Sequence, residues 1–190
     1  MLPDATDARS WQINETMSKG FFLWNSKISQ SLRLGTSRNE YIVGDNMHEG
    51  RTDFLQANLS YVAAFTKWLS FDTSNYFTLS KPYTDGKENG VTYRTFTNSS
   101  SLLLWPCAKV KLMPSVQYSY NNYFPTGRNN VFLNCELEYY VGAVTLSLKC
   151  SNLLDKDSYR RITDNGITRY MSEYRLRGRT LMLGIRMKLL

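Results

Sequence analysis

The sequence is poor in histidine and cysteine and contains no long apolar run. Its one histidine is His48, and its three cysteines are Cys107, Cys135 and Cys150, none of them at metal-ligand spacing. We therefore expect no zinc or redox centre and no cofactor, and we interpret Cys135 and Cys150 as small hydrophobic residues. No stretch reaches the roughly 18 consecutive apolar residues of a transmembrane helix, which excludes helical membrane spans.

The chain also lacks the residue groupings of an enzyme. No nucleophile, base and orienting group occur in a recognisable pattern. Glu136 and Glu138 share a predicted strand face, but glycoside hydrolysis needs a buried carboxyl pair at a defined separation, and nothing else supports it. We predict a non-enzymatic protein in which these glutamates pair with Lys149, Arg33 or a neighbouring domain. His48, in a predicted loop, is expected to be solvated.

A secretory signal is missing from the first residues. The start, MLPDATDARS, has neither a basic segment nor an apolar core. If the protein is secreted or membrane-inserted, its targeting segment lies outside this sequence. We expect residues 1–190 to be the C-terminal portion of a larger protein.

Charge is scattered along the chain. The net charge is +7, from 23 Lys and Arg against 16 Asp and Glu. No basic stripe marks a nucleic-acid site, so we expect no nucleic-acid partner. We interpret the densest basic group as solvated charge on loops and strand ends. The alternative is that it contacts anionic lipid head groups or lipopolysaccharide. Its members are Arg160, Arg161, Arg169, Arg175, Arg177 and Arg179.

Alternation of apolar and polar side chains is abundant. Aromatic residues make up 14% of the chain although mean hydropathy is −0.40, a combination that suits amphipathic strands. Over 179–190, apolar residues recur at every second position from Leu181 to Leu189, which is the period of a strand. Eight further segments alternate in the same way. The nine predicted strands are 10–18, 25–41, 52–64, 69–80, 91–104, 109–121, 131–140, 143–153 and 179–190.

The predicted connections alternate in length. They are tight near residues 20, 66, 107 and 142, and longer near 46, 86, 127 and 165. Up-and-down strands would gather Trp24, Trp68 and Trp105 beside the tight turns. Aromatic residues at both rims, with short turns on one side only, are typical of bacterial transmembrane β-barrels. The tyrosines expected at the long-loop rim are Tyr41, Tyr83, Tyr93, Tyr123 and Tyr174.

Strand length and charge placement favour a membrane barrel over a soluble sheet. Most predicted strands have about ten residues or more, near the length that crosses a bilayer, whereas soluble strands centre on about five or six. The apolar phase is nearly free of charge, as lipid contact requires. The expected lumen-facing residues are Arg33, Gln56, Asn58, Glu136, Glu138, Lys149 and Arg186. The expected lipid-facing or girdle residues are Trp24, Trp68, Trp105, Leu133, Leu137, Leu146, Leu148, Leu183, Ile185 and Met187.

The strand count completes the fold prediction. Single-chain bacterial barrels have an even number of strands, and nine is odd. An open sheet in lipid would leave unpaired edges. We predict an all-β fold, an antiparallel up-and-down transmembrane β-barrel segment of about nine strands. Over these residues alone it forms an open curved sheet whose last strand has a bare edge.

Residues 151–190 resemble the C-terminus of TonB-dependent outer-membrane receptors. The resemblance lies in the exit of the penultimate strand, in the YRLRGR segment at 174–179 and in the alternating final strand. The exit segment consists of Asn152, Leu153, Leu154, Asp155 and Lys156.

The resemblance implies a receptor in the outer membrane of a Gram-negative bacterium, a plugged barrel that takes up a siderophore, cobalamin, a glycan or a peptide. Implied partners are outer-membrane lipid and lipopolysaccharide, N-terminal barrel strands and a plug outside this sequence, TonB acting through that plug, and the barrel-assembly machinery. Two alternatives stay open. One is a plugless outer-membrane channel or porin-like protein, and the other is a soluble β-sheet module that binds carbohydrate or protein.

Overall fold

The protein is built almost entirely of β-strands. The structure, a computed structural model, describes residues 5–88, 91–124, 127–164 and 169–188. Within these ranges the only helical element is a 3-10 turn, Leu23–Asn25. No helix of the described residues is long and apolar enough to span a bilayer. The strands are β1 (Ala5–Phe21), β2 (Ser26–Val43), β3 (Asn46–Thr66), β4 (Leu69–Thr84), β5 (Lys87–Glu88), β6 (Tyr93–Cys107), β7 (Val110–Asn121), β8 (Asn129–Val141), β9 (Val144–Ser151), β10 (Ser158–Asp164), β11 (Arg169–Arg175) and β12 (Thr180–Met187).

Nine long strands form one antiparallel sheet. Their order is β1-β2-β3-β4-β6-β7-β8-β9-β12, with β5 beside β4 and with β10 and β11 in a separate hairpin. Each neighbouring pair is antiparallel. The predicted antiparallel all-β fold is therefore confirmed, and the sheet stays open, without closing into a barrel.

The two edges of the sheet are β1 and β12. Among the described residues, β1 pairs only with β2, and β12 pairs only with β9. Because direction alternates along nine strands, β1 and β12 run the same way and cannot pair antiparallel with each other. Antiparallel closure would need an odd number of additional strands.

The connection near residue 46 is a tight turn, and the longer loop predicted there was wrong. β2 and β3 stay paired as far as Val43 and Asn46, so only Gly44 and Asp45 connect them. Gly44 has φ 63°, which suits a two-residue hairpin. Polar residues suggested a loop, but backbone hydrogen bonds extend a ladder without apolar side chains.

The polar loop predicted at 155–173 contains a hairpin, so this prediction was also wrong. β10 pairs with β11 from Ser158 opposite Arg175 to Asp164 opposite Arg169. The hairpin folds toward the main sheet, because the Tyr159 ring meets the Phe132 ring at a centroid distance of 6.1 Å. Its sequence is polar in both phases and shows no hydrophobic period.

Cross-strand pairing sorts the side chains onto two faces, since directly opposed residues lie on the same face of a sheet. Leu183 opposes Leu148, which opposes Leu137. Lys149 opposes Glu136 on the other side. The apolar face comprises the residues in phase with Leu137 and Leu148. The polar face comprises the residues in phase with Glu136 and Lys149.

The sheet curves around its polar face. Side chains from Val62 on β3 to Lys149 on β9 line one cavity of about 600 Å³. Five strand spacings separate β3 from β9, which would place them about 24 Å apart in a flat sheet. The polar face is therefore concave, and the apolar face is convex.

Little of the apolar surface is buried within the molecule. Among the residues that the structure describes, the buried hydrophobic ones are Ala63, Tyr93 and Phe124. The accessible surface is 13544 Å² for a mass of 22.0 kDa, whereas a compact monomer of this mass exposes about 9,300 Å². On the convex face large side chains stay open, and Leu183 is 84% exposed. Exposed apolar patches of this kind mark interaction surfaces.

Candidate functional site

The polar face brings together the residues predicted to face a lumen. Arg33 opposes Gln56 across β2 and β3, and Glu136 opposes Lys149 across β8 and β9. That this face lines a lumen stays a prediction. The register places seven residues on it: Arg33, Gln56, Asn58, Glu136, Glu138, Lys149 and Arg186.

Charged side chains of both signs line the cavity of about 600 Å³ on this face. They are Asp72, Lys111, Glu136 and Lys149. Small polar side chains lie between them, and Val62, Leu103 and Met113 add apolar surface to the same cavity. The described residues contain no group of three or more side chains that could hold a metal ion. The small polar residues are Ser70, Ser101, Ser115, Asn134 and Ser151.

Glu138 is a buried charge at the short-turn end of this face, and it is only 7% exposed. Lys111 Nζ donates to Glu138 Oε2 at 3.1 Å, and Tyr140 OH donates to the same oxygen at 2.6 Å. The Tyr140 ring stacks on Trp105 at a centroid distance of 5.6 Å. The Lys111 ammonium lies 6.0 Å from the Trp105 ring. The four side chains form one network that satisfies the buried carboxylate.

The partner of Glu138 was predicted wrongly. The structure pairs it with Lys111, which opposes it across β7 and β8, and not with Lys149 or Arg33. Lys111 has the same phase as Ser115, so the period of two already indicated that it lies on the polar face. The sequence did not reveal which polar residues of β7 and β8 face each other.

Arg33 joins the first three strands on the polar face. Its Nε donates to Gln12 Oε1 on β1 at 2.9 Å, and a second guanidinium nitrogen contacts the same oxygen. The guanidinium also lies 5.4 Å from the Phe54 ring on β3. Arg33 therefore acts as a cross-strand contact, although its side chain remains exposed to solvent.

His48 lies on β3, and the loop position predicted for it was wrong. Its Nδ1 lies 2.8 Å from Asp85 Oδ2, and its ring stacks on Tyr41. The Glu49 N–H donates to Asp85 Oδ1 at 2.9 Å. These contacts, the His48 hydrogen bond first and the Glu49 N–H second, lower the pKa of the Asp85 carboxyl. The turn after β4 is thereby attached to β3.

Asn152 organises the segment that resembles TonB-dependent receptors. It has φ 55°, and its backbone N–H donates to Asn134 Oδ1 at 3.0 Å. Its Nδ2 donates to the carbonyl oxygens of Lys156 and Arg177 at 2.7 and 3.0 Å. Its Oδ1 accepts from the Lys156 N–H at 2.9 Å. One buried amide thus joins the exit of β9 to the segment before β12.

Asp155 continues this junction. Its Oδ1 accepts from the Arg179 N–H at 3.0 Å, and its Oδ2 lies 3.5 Å from the Arg179 guanidinium. Leu153 N–H donates to the Leu133 carbonyl at 2.9 Å. Asp155 therefore fixes the start of β12, while Leu154 remains exposed.

A second cavity lies where the β10–β11 hairpin meets the polar face. Its volume is about 500 Å³. Phe132 and Tyr159 supply aromatic surface, Gln117 and Ser119 supply polar groups, and Arg177 supplies positive charge. The lining therefore combines stacking and hydrogen-bonding groups at the end of the sheet opposite the Glu138 network.

The apolar face contains the aliphatic residues predicted to contact lipid. Two cross-strand rows, one through Leu148 and one through Leu146, cover β12 and β9. Among the described residues of β7, β8, β9 and β12, this face carries no charged side chain. The predicted residues on this face are Leu133, Leu137, Leu146, Leu148, Leu183, Ile185 and Met187.

The three predicted girdle tryptophans lie at the short-turn end of the sheet. Trp24 and Trp68 are exposed, and Trp24 contacts Phe65 at a centroid distance of 5.2 Å. Trp105 differs, because it packs against Tyr140 on the polar face. The structure therefore separates Trp105 from the aliphatic residues of the apolar face.

Comparison with known protein families, with curated proteins and with solved structures gave no match.

Proposed function

We propose that the chain forms part of the wall of an outer-membrane β-barrel, with its polar face toward an aqueous interior and its apolar face toward lipid. The observation that carries this proposal is the pairing of two unlike faces on one curved sheet. The convex face of β7, β8, β9 and β12 is apolar and exposed, whereas the concave face holds charged and hydroxyl side chains. In water the convex face would be unfavourable, but in a bilayer it needs no further cover.

The open edges support a wall completed by other strands. Both edges would leave backbone N–H and C=O groups unpaired in the hydrocarbon region, at a cost of several kcal/mol for each group. Since β1 and β12 run in the same direction, an odd number of added strands would close the sheet. The N-terminal strands of a larger barrel would fill this role.

The receptor assignment rests on the sequence resemblance at Asn152–Lys156 and β12. We propose a TonB-dependent receptor for a large nutrient, assembled with a plug that receives energy from TonB. Asn152 and Asp155 would position the last strand, and the cavity of about 500 Å³ would lie on the ligand side. A plugless channel would use the same two faces. A reading frame that encodes a plug upstream of this sequence would favour the receptor over the channel.

The experiment compares adjacent residues of β9 in the closed barrel that the proposal describes, without natural cysteines and reconstituted in lipid vesicles. Leu148→Cys and Lys149→Cys each carry a fluorophore. A step of one residue reverses the face, so lipid-borne nitroxide should quench the label at 148 and aqueous iodide the label at 149. Equal quenching at both positions, or a monodisperse folded chain without detergent, would overturn the proposal.

A further inference from the structure

A hydrogen-bonded polar group interrupts the apolar face at the middle of β4 and β6. Asn98 Nδ2 donates to Thr73 Oγ1 at 3.1 Å and to Asn75 Oδ1 at 2.8 Å. Ser100 Oγ donates to Asn98 Oδ1 at 3.1 Å, and Thr73 Oγ1 lies 2.8 Å from Ser100 Oγ. We call Thr73, Asn75, Asn98 and Ser100 the polar quartet. Its members oppose each other in pairs, Thr73 with Ser100 and Asn75 with Asn98.

The quartet lies halfway along its strands. The β4–β6 ladder runs from Leu69 opposite Leu104 to Ser80 opposite Tyr93, and the quartet occupies its centre. In the proposed membrane position, this centre is at the depth of the hydrocarbon core. Lipid chains offer no hydrogen bonds, so this position disfavours amide and hydroxyl groups.

The quartet satisfies most of its own hydrogen-bonding groups but not all of them. Thr73, Ser100 and Asn98 form a closed ring of hydrogen bonds. Asn75 Nδ2 has two hydrogens and, among the described residues, one acceptor, the Leu59 carbonyl at 3.4 Å. A donor of Asn75 is therefore left for a group outside the chain, and lipid cannot accept it.

We infer that the polar quartet is the centre of a contact between two copies of this chain within the membrane. This inference rests on the proposed position of the apolar face. Asn, Ser and Thr each donate and accept, so the patch is complementary to itself, as a twofold contact requires. Neutral small polar residues allow close approach and hydrogen bonding between membrane segments.

Charge and area agree with a second copy as the occupant. The quartet is uncharged, so an identical surface meets no like charge across it. The convex strip formed by β3, β4, β6 and β7 measures about 20 Å by 33 Å, since it has four strands about 4.8 Å apart and about ten residues along each. Two such strips would bury about 1,300 Å² in total, which is within the range of stable interfaces.

The test uses cysteine cross-linking of the full chain in lipid vesicles, with Cys107, Cys135 and Cys150 replaced by serine or alanine. Leu59→Cys marks the quartet, because Leu59 opposes Asn75 on the same face, is 47% exposed, and can be replaced without changing the four polar side chains. Leu146→Cys is a control on the same face, since Leu146 is 42% exposed and lies on β9. Leu183→Cys marks the open edge strand. A short thiol cross-linker should give at least about fivefold more dimer at position 59 than at 146 or 183.

A second measurement does not use the cysteine introduced for cross-linking. Asn75→Leu, which removes the Nδ2 donor left for a group outside the chain, should weaken dimerisation in vesicles about tenfold, equivalent to about 1.4 kcal/mol, as measured by energy transfer between labelled copies. Unchanged dimerisation, or cross-linking mainly at 183 or equally at 146, would overturn the inference. The quenching contrast between positions 148 and 149 reports the membrane position separately, so failure of the contact is distinguished from failure of the proposed function.

Discussion

Lys111 Nζ and Glu138 Oε2 lie 3.1 Å apart on neighbouring strands, and the carboxylate is almost fully buried. The lysine is therefore the charge that compensates Glu138 at the short-turn end of the concave face. Tyr140 adds a second donor to the same oxygen. This pair yields the first prediction.

Lys111→Met should destabilise the folded chain by about 1–3 kcal/mol, because it leaves a buried carboxylate with one donor fewer. The measurement is denaturant unfolding in detergent. Lys149→Met is the matched control, since Lys149 is exposed on the same face, and it should change stability little. The double variant Lys111→Met/Glu138→Gln should recover part of the loss, and an additive loss would contradict the pairing.

Asn152→Ala should cost about 2 kcal/mol or more, because it removes three side-chain hydrogen bonds at a position with positive φ. Asn130→Ala serves as control, since no side-chain hydrogen bond of Asn130 occurs among the described residues. Hydrogen exchange should also show earlier opening of β12 in the Asn152 variant. Equal stability of the two variants would argue against the junction.

Gly44→Ala should destabilise the chain by about 1 kcal/mol, because alanine at φ 63° is strained. Gly20→Ala is the matched control. The nearest atom to a Cβ at position 20 would be Ser26 O at 3.9 Å, an ordinary contact. The midpoint of denaturant unfolding should shift for Gly44→Ala alone, and a shift of the same size in both variants would contradict the turn assignment.

The Asp85 carboxyl should titrate below its usual range, because contacts with His48 and with the Glu49 N–H lower its pKa. A depressed carboxyl pKa contributes stability above the ordinary pKa of aspartate, and this contribution is lost as pH falls through the depressed value. His48→Ala should raise the pKa of Asp85, as measured by carboxyl NMR titration. An unchanged titration in the variant would contradict the contact.

The elements that the sequence predicted depend on local patterns. The alternation at Leu133, Leu137, Leu146 and Leu148 indicated both the strands and the face that each side chain takes. Glycine at a turn, as at Gly142 with φ 58°, has an equally local cause. Such features need only the period of the backbone and its allowed dihedrals, so they follow from neighbouring residues.

The prediction failed where the signal was not hydrophobic. The β10–β11 hairpin and the paired ends of β2 and β3 are held by backbone hydrogen bonds between polar segments. A polar strand and a polar loop have similar composition. Only the neighbouring segment to which the backbone is hydrogen-bonded distinguishes a strand from a loop.

Register is the property that only the folded chain supplies. Bulges between Ala64 and Thr66 and between Leu104 and Cys107 shift the pairing of later residues, and a shift of one residue reverses every face. The partnership of Lys111 with Glu138, the junction at Asn152 and the polar quartet all depend on this register. The alternating sequence therefore determined most strands of the main sheet and which of their side chains share a face, whereas the tertiary structure decided which of them meet, because contact across strands requires long-range pairing.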